Sequence, residues 1–185
     1  EEGNLYLLQT RAHRLTKLFA ATGYDSSLTI GGKGIGGEGF NQPTRMKVQN
    51  RQAIWVLDQM NRRLVLLNTN LKVTREVDFL NLSAGPGTDL DEEIYPEDIA
   101  ASPAGELFLL NQNDNRVYKL DPFGKLQLAF GGMDYGDGSL SSPTAMECSG
   151  GNQIFVADGE EQTVSVFDMY GVFLFLLPPL ESLAA

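Results

Sequence analysis

IWVLDQMNRRLVLLN, running from Ile54 to Asn68, reads as two apolar strands around a polar turn. The same pattern returns without a gap as LYLLQTRAHRLTKLF from Leu5, LFLLNQNDNRVYKLD from Leu107 and IFVADGEEQTVSVFD from Ile154. The copies lie roughly fifty residues apart, a period that belongs to repeat architectures. A second element recurs between them. GGKGIGGEGFNQPTRM, Gly31 to Met46, comes back as GGMDYGDGSLSSPTAM, Gly131 to Met146, with glycines, a proline, a threonine and a methionine matched.

Each unit reads as four strands, a to d. Strand a follows a proline: TRMKV after Pro43, EDIAAS after Pro96, TAMECS after Pro143. Strand b is IWVL, LFLL or IFVA, strand c is RLVLL, RVYKL or TVSVF, and strand d is REVDF, LQLAF or VFLFL. Branched and aromatic residues dominate, turn residues separate the runs, and no stretch keeps a helical period. Strand b is apolar at consecutive positions, which implies burial on both faces. Four-stranded blades stacked face to face bury their strands this way, so the expected fold is an all-β propeller. Repeats fall at about 1–43, 44–96, 97–143 and 144–185 of a single domain, and the first lacks strand a.

The glycine-rich strings sit where the chain must leave the outer strand of one blade and enter the next. Glycine supplies positive φ there, and the proline sets an extended entry to strand a. A GxGxxG-like string also suggests nucleotide binding, but no helix pattern follows it and it recurs, so it reads as structural.

A glycine-rich loop, a proline, an apolar strand ending in Asp and then N-x-R resembles the NHL repeat. Asp58, Asn61 and Arg63 match its D-x-x-N-x-R kernel. Asn111, Asp114 and Arg116 match with Asn and Asp exchanged; Asp158 keeps the acid while Glu161 and Thr163 depart; Gln9, Ala12 and Arg14 keep only the arginine. The resemblance implies a six-bladed type of propeller that serves as protein binder, RNA binder or, in a few cases, enzyme. Asp58, Asn61, Arg63, Asn111, Asp114, Arg116 and Asp158 are the candidate binding residues on a loop rim. The bland role for the same residues is local: Asp and Asn side chains bond nearby backbone N–H groups and hold turns.

A net charge of −10, from 24 acidic against 14 basic residues, argues against nucleic acid, which needs a basic footprint. It disfavours an anionic membrane surface as well. The longest apolar stretch, near VFLFLLPPL, is too short to cross a bilayer. Cys148 is the single cysteine and reads as a small buried hydrophobe. His13 is the single histidine, which rules out a His-rich zinc site within the chain, and its neighbours show no nucleophile elbow. An oxygen-only Ca²⁺ site stays open at Asp89, Asp91, Glu92 and Glu93, or at Asp134 and Asp137, although solvated acidic loops account for both. Trp55 and Tyr6 lie in strand b and read as buried, not as lining of a ligand pocket.

A complete fold signature without a catalytic set leads to one expectation: a non-catalytic interaction scaffold with no cofactor, docking protein partners in a larger assembly. The alternatives are a Ca-dependent hydrolase or lyase of the propeller type and a small-ligand or glycan sensor. The chain begins at Glu1 without Met, and an extracytoplasmic location is favoured slightly over others. PLESLAA, Pro179 to Ala185, echoes PEDIAAS, Pro96 to Ser102, and could supply a missing strand a. Apolar end faces exposed by an incomplete ring call for cover by a partner or by further sequence.

Overall fold

A computed structural model describes residues 3–82, 94–150 and 152–177. The chain divides after Phe79 into two compact units.

The first unit holds two sheets. One is β1 (Leu5–Gln9), β2 (Arg14–Leu18) and β3 (Ser27–Gly31); the other is β4 (Pro43–Gln49), β5 (Ala53–Asp58), β6 (Arg63–Asn68) and β7 (Val73–Asp78). The second unit holds β8 (Pro96–Ala101), β9 (Leu107–Asn111), β10 (Arg116–Leu120) and β11 (Leu126–Gly131), then β12 (Pro143–Cys148), β13 (Gln153–Asp158), β14 (Thr163–Asp168) and β15 (Phe173–Leu177). Every sheet is an antiparallel meander with neighbours in chain order. These are blades of the propeller type, and the fold is all-β as the repeats anticipate. The first blade has three strands, with β1 at its edge where strand a would pair.

Strand a starts at the proline itself. Pro43, Pro96 and Pro143 each pair with the last residue of strand b, and a bulge follows at once. Proline has no N–H to give the ladder, so the register slips beside it. The turns from b to c in the first unit are 3-10 turns, Thr10–Ala12 and Gln59–Asn61, ended by left-handed His13 and Arg62. Gly31, at φ 110°, passes so close to the turn that a Cβ there would meet the His13 carbonyl oxygen at 2.5 Å.

Two-sided burial of strand b holds for β9 throughout and for β5 from Ile54 to Asp58. It does not hold for β13 or β1, which alternate. Trp55 and Phe108 are core residues, whereas Phe155 is half-buried. Leu5 and Leu7 are 49% and 46% exposed, so the outward face of β1 is wet. The core of the first unit gathers Leu15, Ile30, Phe40, Ile54, Val56 and Val65 between its sheets. Phe108, Leu110, Phe130, Leu140, Ile154 and Phe167 do the same in the second.

Within each unit the two blades are joined by matching bonds. Thr10 Oγ1 donates to the Pro43 carbonyl at 2.8 Å, and Gln112 Nε2 donates to the Pro143 carbonyl at 2.9 Å. Lys17 Nζ reaches the Thr69 carbonyl at 2.9 Å, and Lys119 Nζ reaches the Met169 carbonyl at 2.8 Å. Both lysines are buried, at 2% and 6% exposed, over the rings of Phe19 and Tyr170. Lys119 also pairs with Glu106 at 2.7 Å. The second blade of each unit has Leu66 or Val166 at the lysine's place.

Candidate functional site

The residue that ends strand b is buried in each four-stranded blade: Asp58, Asn111 and Asp158. Each accepts backbone N–H groups from just ahead of the strand-a proline. Asn41 N–H donates to Asp58 Oδ1 at 2.6 Å and Tyr95 N–H donates to Asn111 Oδ1 at 3.0 Å. Ser141 and Ser142 N–H both donate to Asp158 Oδ2, at 2.7 and 3.0 Å. A chain entering a buried strand brings N–H groups that need acceptors. The strand-b carboxylate or amide supplies them and clasps the entry loop to the blade.

Around Asp58 the clasp is largest. Asn61 Nδ2 donates to Asp58 Oδ2 at 2.7 Å and to the Gly34 carbonyl at 2.8 Å. Arg63 donates from Nε to Asp58 Oδ2 at 2.9 Å, from Nη1 to Glu76 at 2.8 Å and from Nη2 to the Gly39 carbonyl at 2.6 Å. One buried guanidinium thus ties strand b, strand d and the glycine loop together, the fork geometry for which arginine is suited. In the next blade Asn111 Nδ2 donates to Asp114 Oδ1 at 2.9 Å, and the Tyr118 hydroxyl donates to Asp114 Oδ2. Arg116 is exposed, and its backbone N–H donates to Asp114 Oδ1. Asp158 Oδ1 takes N–H bonds from Glu160 and Glu161 at 3.1 and 3.2 Å. Burial pushes the Asp158 carboxyl up, but the four backbone N–H bonds outweigh it and hold the pKa below the ordinary 3.8.

The seven sequence candidates therefore fall into separate clusters, one per blade. Asp58, Asn61 and Arg63 form one network; Asn111 and Asp114 form a second, which Arg116 joins by its backbone N–H; Asp158 stands in a third.

His13, half-buried, accepts the Gln42 N–H on Nδ1 at 2.9 Å. A neutral ring held so carries its proton on Nε2. Among the described residues no three His, Cys, Asp or Glu side chains gather as a metal site. Asp134 and Asp137 are described; Asp89, Asp91, Glu92, Glu93 and the 179–185 segment lie outside the described residues.

A cavity of about 380 Å³ in the second unit escaped the sequence reading; Ser139, Asp158, Glu161, Thr163, Ser165 and Leu176 line it. Its signal was present in the departure of Glu161 and Thr163 from the repeat kernel.

No family model and no curated protein matches the chain. Its fold matches solved structures. A catalytically inactive histidine-to-alanine variant of virginiamycin B lyase from Staphylococcus aureus, with quinupristin, aligns over 96% of this chain and 53% of that chain, at TM-score 0.67 and 12% identity. A streptogramin B lyase aligns over 96% and 52%, at TM-score 0.63 and 15% identity. Hydrazine synthase from Kuenenia stuttgartiensis aligns over 72% and 35%, at TM-score 0.53 and 15% identity. The chain spans about half the length of the lyases it matches. At these identities the likeness is one of fold.

The comparisons correct the expectation of a non-catalytic scaffold that is not an enzyme. The fold on which that expectation rested is the fold of solved lyases. The physical reason is that a propeller draws its site from loops of separate blades. Lack of a contiguous catalytic motif therefore does not argue against an enzyme on this fold.

Proposed function

We propose that this chain is part of a propeller lyase related in fold to the virginiamycin B lyases, acting on a streptogramin B-type substrate such as quinupristin. The observation that carries the reading is the alignment over 96% of the chain at TM-score 0.67. A lyase breaks a bond by elimination, so it moves a proton and stabilises a departing group without consuming water. His13 suits the second part of that work: with Nδ1 engaged by Gln42, the neutral ring can donate a hydrogen bond from Nε2 to a group that gathers negative charge. The strand-b clasps support the loops from which such a site is built. We further read the kernel as NHL-like, supported by the Asp58–Asn61–Arg63 network.

The test is incubation of the protein with quinupristin, with and without divalent cations, followed by mass spectrometry. Products whose masses add up to that of the substrate would mean elimination; the gain of one water would mean hydrolysis and would overturn the lyase reading. Unchanged substrate under all conditions would overturn it too.

A further inference from the structure

The blade β4–β7 stores a guanidinium, and the blade β12–β15 is built on the same plan without one. Asp158 stands where Asp58 does, Glu161 where Asn61 does, Thr163 where Arg63 does, Ser165 where Val65 does, Ser139 where Gly39 does and Leu176 where Glu76 does. Arg63 in the earlier blade is 5% exposed and bonds Asp58, Glu76 and the Gly39 carbonyl. In the later blade the short Thr163 stands in that place, and a cavity of about 380 Å³ is lined by the residues at those same places.

Ser165 supplies a second, independent observation. It is 2% exposed and it lines the cavity. The counterpart Val65 closes an apolar contact. A hydroxyl on the wall of a cavity can bond an occupant. Asp158 is saturated by backbone N–H groups and contributes negative charge, while the exposed Glu161 has a carboxylate to share. Phe173 and Leu176 add an apolar wall suited to a methylene chain.

We propose that this cavity binds a guanidinium group supplied from outside the chain, which takes the place that Arg63 fills from within in the earlier blade. The site selects guanidinium over ammonium because the Glu161 carboxylate and the Ser165 hydroxyl both line it, and a planar fork with several donors can serve more than one acceptor where a point charge does not. The guanidinium comes either from a small molecule or from an arginyl residue of a polypeptide. The proposal does not rest on the lyase reading.

The experiment is an amide NMR titration of the protein with N-acetyl-arginine amide, its neutral citrulline counterpart, N-acetyl-lysine amide and a short peptide with one central arginine. The arginine compounds are expected to shift the Glu161, Thr163 and Ser165 amides saturably, with a dissociation constant of about 1 mM. The citrulline compound should leave them in place, and the lysine compound should bind about tenfold more weakly. Tighter binding of the peptide than of the amide supports the proposal with a polypeptide source, and equal binding supports it with a small-molecule source. Thr163→Arg should refill the slot, abolish the shifts and raise the unfolding midpoint. Should that variant not fold, Glu161→Gln should weaken binding by about tenfold with the rest of the spectrum preserved. No saturable shift, equal response to lysine and arginine, or binding indifferent to the folded variants overturns the proposal.

Discussion

Asn111 donates from Nδ2 to Asp114 Oδ1 at 2.9 Å, the chemical reverse of Asn61 donating to Asp58 one blade earlier. The carboxylate and the amide have exchanged places, yet the entry-loop N–H still finds an oxygen at the end of strand b, from Tyr95 in one blade and from Asn41 in the other. In these two blades one carboxylate is paired with one amide, in either order. Asn111→Asp alone sets two carboxylates side by side and should destabilise. Adding Asp114→Asn should recover most of the loss. A double-mutant cycle from urea midpoints is expected to give a coupling of about 1–3 kcal/mol.

Arg63→Lys should cost about 1.5–3 kcal/mol, since an ammonium cannot reach Asp58, Glu76 and the Gly39 carbonyl together. Glu76→Gln should cost less, because Glu76 is 40% exposed and water replaces what it loses. The comparison is read from equilibrium unfolding of the two variants in one buffer.

The Asp158 carboxyl titrates lower in the folded chain than its ordinary 3.8. A depressed folded value means that its stabilisation is complete above the ordinary value and is lost as pH falls through the folded one. The stability gap between the protein and Asp158→Asn should therefore be widest near about pH 6 and narrow steadily below about pH 4. A gap that grows on acidification would contradict the bonding described around Asp158.

The blades were legible in the sequence because strands are local: apolar runs such as IWVL and LFLL, cut by turns, announce themselves. The clasp was half legible. Asp58, Asn111 and Asp158 stood out by position, but their donors Asn41, Tyr95 and Ser141 lie outside the motif and meet it only through the fold. The cavity beside Thr163 was not legible. Thr163 shows an arginine missing, but only folding brings Ser139 and Leu176 to the walls of the space left behind. Phe155 shows the limit of apolar pattern. Its run resembles that of Phe108, and burial depends on whether a further sheet covers it.

That contrast gives a measurable difference. Phe108→Ala should cost about 3–5 kcal/mol, because the ring is fully buried between sheets. Phe155→Ala should cost clearly less, since the half-buried ring surrenders less area and leaves no closed void. Thermal and urea unfolding of both variants decide it.

On β1, Leu5→Lys and Leu7→Lys should each move stability by no more than about 0.5 kcal/mol, as both side chains already meet water. They should also reduce binding of an apolar dye and self-association in light scattering, because a charged edge resists pairing with another strand.

Lys17 and Lys119 sit in the first blade of each unit and spend their charge on a carbonyl of the second. Loss of the second blade of either unit would take that carbonyl away from a buried ammonium. Within each unit, then, the two blades are held together by a buried charge as well as by apolar packing.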